Sequence, residues 1–206
     1  MNRALSMLAT LGLAAAVSLL CVAADTSNNT PPVATIGQQA PSFTLQNDDG
    51  STVSLSNYSG KIVVLEWTNP DCPYVQRHYQ EHTMTNLAAK YQPQNVAWLA
   101  INSTHDVTND QDKTWATEQG ISYPILNDAS GTVGHEYGAT NTPDMYVIGK
   151  DGTLLYKGAI DNDRDGDKTG ADKINYVDQA LGEILAGKPV SVPMTKPYGC
   201  TVHYAQ

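Results

Sequence analysis

The stretch 61–75 constrains the fold of this chain most strongly, and it reads Lys-Ile-Val-Val-Leu-Glu-Trp-Thr-Asn-Pro-Asp-Cys-Pro-Tyr-Val. The apolar, mostly β-branched run 62–65 is typical of a central strand that is buried on both faces. Pro70 ends the strand. Pro73 suits the first position of a helix, because the N–H that proline lacks would be unpaired there in any case. The sequence therefore places Cys72 where a strand ends and a helix begins.

This position favours a reactive cysteine. The thiolate is the nucleophilic form of cysteine, and the unpaired N–H groups and positive dipole at a helix N-terminus stabilise it. The alternative is a small buried cysteine that only packs. Because Cys72 lies in a proline-rich turn and not inside the strand, we predict that it is a reactive nucleophile with a lowered pKa.

Two motifs carry a resemblance to a known family. Trp67 precedes Cys72-Pro73 in a Trp-x-x-x-x-Cys-Pro turn after an apolar strand, and Thr142-Pro143 precedes a later strand. Over residues 34–204 the chain resembles the thioredoxin-like superfamily, in its redoxin or peroxiredoxin-like (AhpC/TSA-type) branch. The resemblance implies a cis Thr142–Pro143 bond facing Cys72, and a substrate site that includes Trp67, Pro73, Thr142 and Pro143.

The residues before Cys72 indicate which chemistry to expect. Thioredoxins carry a buried acid six residues before their first active-site cysteine, and Glu66 has that spacing; their second cysteine is replaced here by Val75. Peroxiredoxins have Thr or Ser three residues before the reactive cysteine, where this chain has Asn69. A carboxylate in a buried strand has a raised pKa, which makes Glu66 a candidate proton acceptor or donor for Cys72. We therefore expect thiol–disulfide exchange, with a peroxidase as the alternative.

The order of the predicted elements favours an α/β, thioredoxin-like fold: a central mixed β-sheet flanked by helices, with an N-terminal β-hairpin. Hairpins are predicted around Asn47-Asp-Asp-Gly, between strands 43–45 and 52–55, and around Lys150-Asp-Gly, between strands 145–148 and 154–160. The remaining predicted strands are 62–65, 96–101 and 123–126, and the predicted helices are 73–91, 112–119, 130–137 and 174–185.

Cys200 is the second cysteine of the predicted mature chain. In an oxidising compartment two cysteines in one exported chain tend to pair. Three roles stay open for Cys200: a resolving thiol that attacks oxidised Cys72, a permanent structural disulfide in a non-catalytic binding domain, or a link between two chains. The expected partners are protein or small-molecule thiols and disulfides, peroxides in the alternative reaction, and an external thiol reductant.

Composition and the N-terminal sequence limit the possible partners and the expected location of the protein. The 206 residues carry 12 basic and 21 acidic side chains, a net charge of −9, which argues against a nucleic-acid-binding surface. Residues 1–24 have the pattern of a secretory signal, 25–35 that of a flexible leader, and 36–206 form the predicted domain. We expect export to the periplasm or the extracellular space and loss of Cys21; membrane attachment follows only if the signal stays uncleaved.

Two motifs suggest metals. His78-x-x-x-His82 has zinc-ligand spacing on a helix but no evident third ligand, so no zinc site is predicted and His78 is expected to be partly exposed. The segment 161–172 resembles a calcium loop, but its twelfth position is Asp and not Glu, and no helix enters it. Calcium is therefore expected to bind weakly at best; the candidate ligands are Asp161, Asp163, Asp165, Asp167 and Asp172.

Overall fold

The computed structural model describes residues 33–205. The predicted signal 1–24 with Cys21, and most of the predicted leader, lie outside the described residues. A seven-stranded mixed sheet has the order β2-β1-β5-β4-β3-β7-β8, and a separate two-stranded sheet pairs β6 with β9. The strands are β1 (Thr44–Asn47), β2 (Thr52–Ser54), β3 (Ile62–Trp67), β4 (Val96–Asn102), β5 (Ile125–Asn127), β6 (Asn141–Thr142), β7 (Asp144–Ile148), β8 (Leu154–Gly158) and β9 (Cys200–Thr201).

Within the described part of the chain, five α-helices cover the central sheet, which confirms the predicted architecture of a mixed sheet flanked by helices. They are α1 (Pro73–Gln80), α2 (Thr83–Tyr91), α3 (Asn109–Gln119), α4 (Thr132–Tyr137) and α5 (Tyr176–Leu185). Helices α1, α2, α3 and α5 pack on one core layer and α4 packs on the other. Within residues 33–205, no helix has both the length and the apolar character needed to cross a membrane.

Strand β3 lies at the centre of the packing. It pairs in parallel with β4 and antiparallel with β7, and all six of its residues are buried. Ile62 and Val64 face one core layer, while Val63, Leu65 and Trp67 face the other. Complete burial of one such aliphatic side chain is worth about 1.5–3 kcal/mol. The core on both faces of β3 therefore gives the turn that follows it a rigid base.

The prediction of one helix from Pro73 to Tyr91 is wrong. The chain forms two helices, because His82 adopts a left-handed conformation with φ of 56° between α1 and α2. This bend lets Tyr79 of α1 and Met84 of α2 enter the same core layer. The break also separates His78 from His82, so the zinc-ligand spacing does not lie on one continuous helix.

Both predicted hairpins are present, as β1–β2 and β7–β8. Strand β8 ends at Gly158, two residues earlier than predicted. Ala34 lies in the predicted leader 25–35 but packs against the fold. It is buried, and its N–H donates to the carbonyl oxygen of Glu136 at 2.8 Å.

Candidate active site

Cys72 is the N-cap residue of α1. Its backbone is extended, with φ of −81° and ψ of 118°, and its carbonyl accepts the first helical hydrogen bond from Gln76 at 2.9 Å. The preceding turn is held by Asn69, whose side-chain oxygen accepts from the N–H of Asp71 at 2.8 Å and whose carbonyl accepts from the N–H of Cys72 at 3.0 Å. The predicted position of Cys72 at a helix N-terminus, with Pro73 as the first helical residue, is confirmed.

The second element of the site is the loop between β6 and β7. The Thr142–Pro143 peptide bond is cis, as the resemblance implied, and Thr142 is buried. The Cys72 thiol donates to the carbonyl oxygen of Thr142 at 3.0 Å. The structure thus brings Cys72, Thr142 and Pro143 together, although they are about 70 residues apart in the sequence.

The third element is the C-terminal segment that carries Cys200. Strand β9 pairs antiparallel with β6, and Cys200 is in register with Thr142. This pairing puts the Cys200 sulfur 2.6 Å from the Cys72 sulfur, with both cysteines as free thiols. The two sulfurs are thus close enough to form a disulfide once an oxidant removes two electrons and the two thiol protons.

The two thiols differ in acidity. Burial alone raises the pKa of Cys72, but the neighbouring Cys200 thiol, the side chain of Thr142 and the backbone N–H of Val75 favour the thiolate and outweigh burial, so the net pKa is lowered. Burial raises the pKa of Cys200, and the neighbouring Cys72 adds to the rise. Cys72 is therefore the more acidic thiol of the pair, which is the property expected of a nucleophile.

Glu66 lies in the same core layer as Cys72 and is fully buried. One carboxylate oxygen accepts from the Tyr79 hydroxyl at 2.9 Å; the other accepts from the Trp98 indole at 2.9 Å and from the Tyr123 hydroxyl at 3.4 Å. Burial raises the pKa of Glu66 to about 7, although the three hydrogen bonds oppose this rise. Among the hydrogen bonds of the described residues, none joins Glu66 directly to Cys72, so direct proton exchange between them stays a prediction.

Trp67 is not brought to the site. It follows Glu66 in β3 and therefore faces the opposite core layer, where it is fully buried against Tyr137 and Tyr146. Its indole N–H donates to the hydroxyl of Ser103 at 3.0 Å. In this position Trp67 supports the sheet and does not line a surface that a substrate could contact.

Tyr198, two residues before Cys200, is a site residue that the sequence did not indicate. Its hydroxyl donates to a carboxylate oxygen of Asp161 and lies 2.9 Å from Nε2 of His78. His78 is fully buried, so the prediction that it is partly exposed is wrong. Burial lowers the pKa of His78, and the neutral ring donates from Nε2 to the Tyr198 oxygen, whose own proton goes to Asp161. The only signal in the sequence was a tyrosine next to Gly199-Cys200.

Two carboxylates of the segment 161–172 turn inward onto a lysine, whereas Asp165, Asp167 and Asp172 stay exposed. Asp161 and Asp163 are buried, and Nζ of Lys173 lies 3.9 Å from Asp161 and 3.1 Å from Asp163. The other carboxylate oxygen of Asp163 accepts the backbone N–H groups of Asp167 and Lys168. The described residues contain no cluster of three or more His, Cys, Asp or Glu side chains that could hold a metal ion. Weak calcium binding by 161–172 remains a prediction.

Two arginines lie in the described part of the chain, at positions 77 and 164, and neither donates a hydrogen bond to the Cys72 sulfur. The guanidinium of Arg77 donates to the carbonyl oxygens of Asp163 and Arg164. Thr68 lies one position before Asn69, the position where peroxiredoxins have Thr or Ser; it is buried, and its hydroxyl makes no hydrogen bond within the described residues. Within residues 33–205, neither an arginine nor the Thr68 hydroxyl is hydrogen-bonded to the Cys72 sulfur, where such a donor would stabilise a hydroxide leaving from a peroxide.

Comparisons with known proteins identify the family and the fold of the chain. A model of the AhpC/TSA family matches residues 36–157. The thiol-disulfide oxidoreductase ResA of Bacillus thuringiensis is 26% identical over 120 residues, which are 58% of this chain and 67% of that protein. An uncharacterized conserved protein from Geobacillus kaustophilus is similar in structure, with a TM-score of 0.76, 29% identity, and coverage of 83% of this chain and 93% of that one. The peroxidoxin BcpB of Mycobacterium tuberculosis shares the fold, with a TM-score of 0.52, 21% identity, and coverage of 60% and 84%. The predicted thioredoxin-like fold is confirmed.

Proposed function

Because the chain belongs to the AhpC/TSA family, we propose that it is an exported thiol–disulfide oxidoreductase in which Cys72 is the nucleophile and Cys200 is the resolving partner. The observation that carries the proposal is the meeting of two free thiols, 2.6 Å apart, at the N-terminus of α1 and beside the cis Thr142–Pro143 bond. The enzyme is an oxidoreductase, in line with the named activity of its relative ResA.

The proposed reaction has two steps. The Cys72 thiolate attacks a substrate disulfide, forms a mixed disulfide and releases one substrate sulfur as a thiolate. The thiolate of Cys200 then attacks the Cys72 sulfur, which forms the Cys72–Cys200 disulfide and releases the second substrate sulfur. Two electrons have passed to the substrate, and an external thiol reductant must return them to the enzyme.

The different acidities of the two thiols support this order of events. Because the pKa of Cys72 is lowered, its thiolate is available for the first step. Because the pKa of Cys200 is raised, it stays protonated beside Cys72 and does not compete for the substrate. Once Cys72 forms a mixed disulfide, its sulfur carries no negative charge. Cys72 then no longer opposes the ionisation of Cys200.

Peroxide reduction is the second candidate, in which Cys72 becomes a sulfenic acid and Cys200 condenses with it. The AhpC/TSA family match and the shared fold with a peroxidoxin favour this candidate. The absence of an arginine donor at Cys72 within residues 33–205 speaks against fast peroxide cleavage.

The test uses a fluorescent disulfide peptide with dithiothreitol as the external reductant. The wild type should reduce the peptide, Cys72→Ser should be inactive, and Cys200→Ser should accumulate a mixed disulfide on Cys72 that mass mapping detects. Stopped-flow mixing with hydrogen peroxide is the parallel experiment. Rapid peroxide oxidation of Cys72 with little exchange would establish the peroxidase instead. A potential of the Cys72–Cys200 pair below about −300 mV, with no exchange, would indicate a structural disulfide in a binding domain.

A further inference from the structure

Cys72 is almost completely covered in this structure. The residue is 1% exposed, and its sulfur lies against Cys200 and the carbonyl oxygen of Thr142. Two grooves of about 530 Å³ flank the region, one lined by Asp71 and the other by Tyr198, but neither includes Cys72. A substrate disulfide therefore cannot reach the nucleophile while the C-terminal segment is in place.

The covering segment, residues 198–201, fits closely against β6. Gly199 has φ of 130°, and a Cβ atom at this position would overlap the carbonyl oxygen of Thr142. Only glycine allows the two backbones to come this close. Further along, the N–H of Val202 donates to the carbonyl oxygen of Thr140 at 3.1 Å. The pairing of this segment with β6 thus requires glycine at position 199.

Tyr198 anchors the start of the covering segment. Its ring packs edge-on against Tyr74 of α1, with centroids 5.9 Å apart, and its hydroxyl links His78 to Asp161. Burial raises the pKa of Tyr198, so the hydroxyl remains protonated and keeps donating to Asp161. A hydrogen bond to a charged group is stronger than a neutral one. The anchor is therefore strong but contains no covalent bond.

Strand β6 has a single partner within the described residues, and that partner is β9. If residues 198–201 left, the edge of β6 that now pairs with β9 would be exposed at Thr142, beside Cys72. An extended peptide can pair with such an exposed strand edge through its own backbone. A disulfide on that peptide would then occupy the present position of Cys200.

We propose that residues 198–201 are a displaceable strand that occupies the docking position of an extended, disulfide-bearing polypeptide substrate, with Tyr198 as the positioning residue that controls its release and return. This inference rests on the proposed function. Substrate and covering segment compete for β6. When the segment returns, the Cys200 thiolate attacks Cys72 of the mixed disulfide, the Cys72–Cys200 bond forms, and the substrate leaves as a thiolate.

The first test measures access to Cys72 without requiring any exchange activity. In a Cys200→Ser background, the rate of Cys72 alkylation by iodoacetamide is followed by mass mapping, in native protein and in urea. We expect strong protection in the native protein. Tyr198→Phe and Gly199→Ala should each raise the native rate about tenfold, since the first loses a charge-assisted hydrogen bond and the second cannot fit against Thr142. Tyr91→Phe, which loses a hydroxyl bond to Asp178 far from the site, is the matched control and should not change the rate.

The second test separates positioning from general loosening of the structure. With Cys200 intact and a disulfide peptide as substrate, Tyr198→Phe should speed formation of the mixed disulfide and slow its resolution, so that the mixed disulfide accumulates. A native Cys72 that reacts as fast as in urea, or unchanged rates in both variants, would overturn the displaceable strand. If the two variants are alkylated faster but no protein shows exchange activity, residues 198–201 do cover Cys72 and the proposed function is wrong. Circular dichroism checks that each variant is folded. If a variant is not folded, the comparison of native and urea alkylation rates in the Cys200→Ser protein decides whether residues 198–201 protect Cys72.

Discussion

Replacing Glu66 with glutamine should make the protein more stable at alkaline pH and leave its stability in acid nearly unchanged. The carboxyl group is fully buried and bonded to Tyr79, Trp98 and Tyr123, with a pKa raised from 4.5 to about 7 by burial. Glutamine has nearly the same shape and can be accommodated. Its oxygen can accept from Trp98, and its amide can donate to the oxygen of Tyr79, whose own proton can turn to Tyr123, 2.8 Å away.

The magnitude follows from linkage between protonation and folding. Between pH 4.5 and about 7 the folded chain keeps a proton on Glu66 that the unfolded chain has lost, so the free energy of unfolding falls as pH rises through this range. A pKa difference of one corresponds to about 1.36 kcal/mol, so the whole effect is about 3 kcal/mol. For a chain of this length this corresponds to a change of roughly 10 °C in Tm.

The assay is urea unfolding of wild type and Glu66→Gln at pH values from 4 to 8.5, with reductant present so that both cysteines are thiols. The difference between their free energies of unfolding should be small near pH 4 and should grow by about 3 kcal/mol in favour of the variant by pH 8. Asp112 and Asp144, whose pKa values burial raises to about 6 and about 7, titrate in both proteins and cancel in the difference. Glu118→Gln, at an exposed position, is the control. A difference that does not vary with pH would refute the argument that Glu66 is held protonated.

Four further outcomes are expected. The alkylation rate of Cys72 in the Cys200→Ser protein should rise with pH through an inflection below the free-thiol value of about 8.5, and an ordinary inflection would remove the argument for a reactive thiol. Gly158→Ala should lower Tm, because its Cβ would overlap the carbonyl oxygen of Thr195 in the C-terminal segment; an unchanged Tm would show that the segment does not stabilise the fold. Calorimetry with calcium should give weak binding at best at 161–172, since Lys173 already lies between the buried carboxylates, and micromolar affinity would contradict this. N-terminal sequencing of the exported protein should begin near Asp25, whereas an intact Met1 would indicate a membrane anchor.

Several features of this protein follow from local sequence alone. An apolar β-branched run, a proline turn and Pro73 suffice to place Cys72 at the start of a helix, because strand burial and the first-turn preference of proline act over a few residues. The hairpins follow from turn residues in the same way. The opposite directions of Glu66 and Trp67 could also have been predicted, since neighbouring residues of a strand face opposite sides of the sheet.

Only the tertiary structure determines which distant residues become neighbours in this protein. Cys200 meets Cys72 across 128 residues only because β9 pairs with β6, and Gly199 had to be seen against Thr142 before its role was evident. The spacing of apolar residues predicted that the first helix continues beyond His82. In the structure the chain bends at His82, and α2 packs on the core. The acidic composition of 161–172 predicts a solvent-exposed loop, but the structure buries two of its carboxylates, Asp161 against Tyr198 and Asp163 against Lys173. The physical reason is the same in each case: burial and pairing depend on which distant groups become neighbours, and sequence spacing records only the near ones.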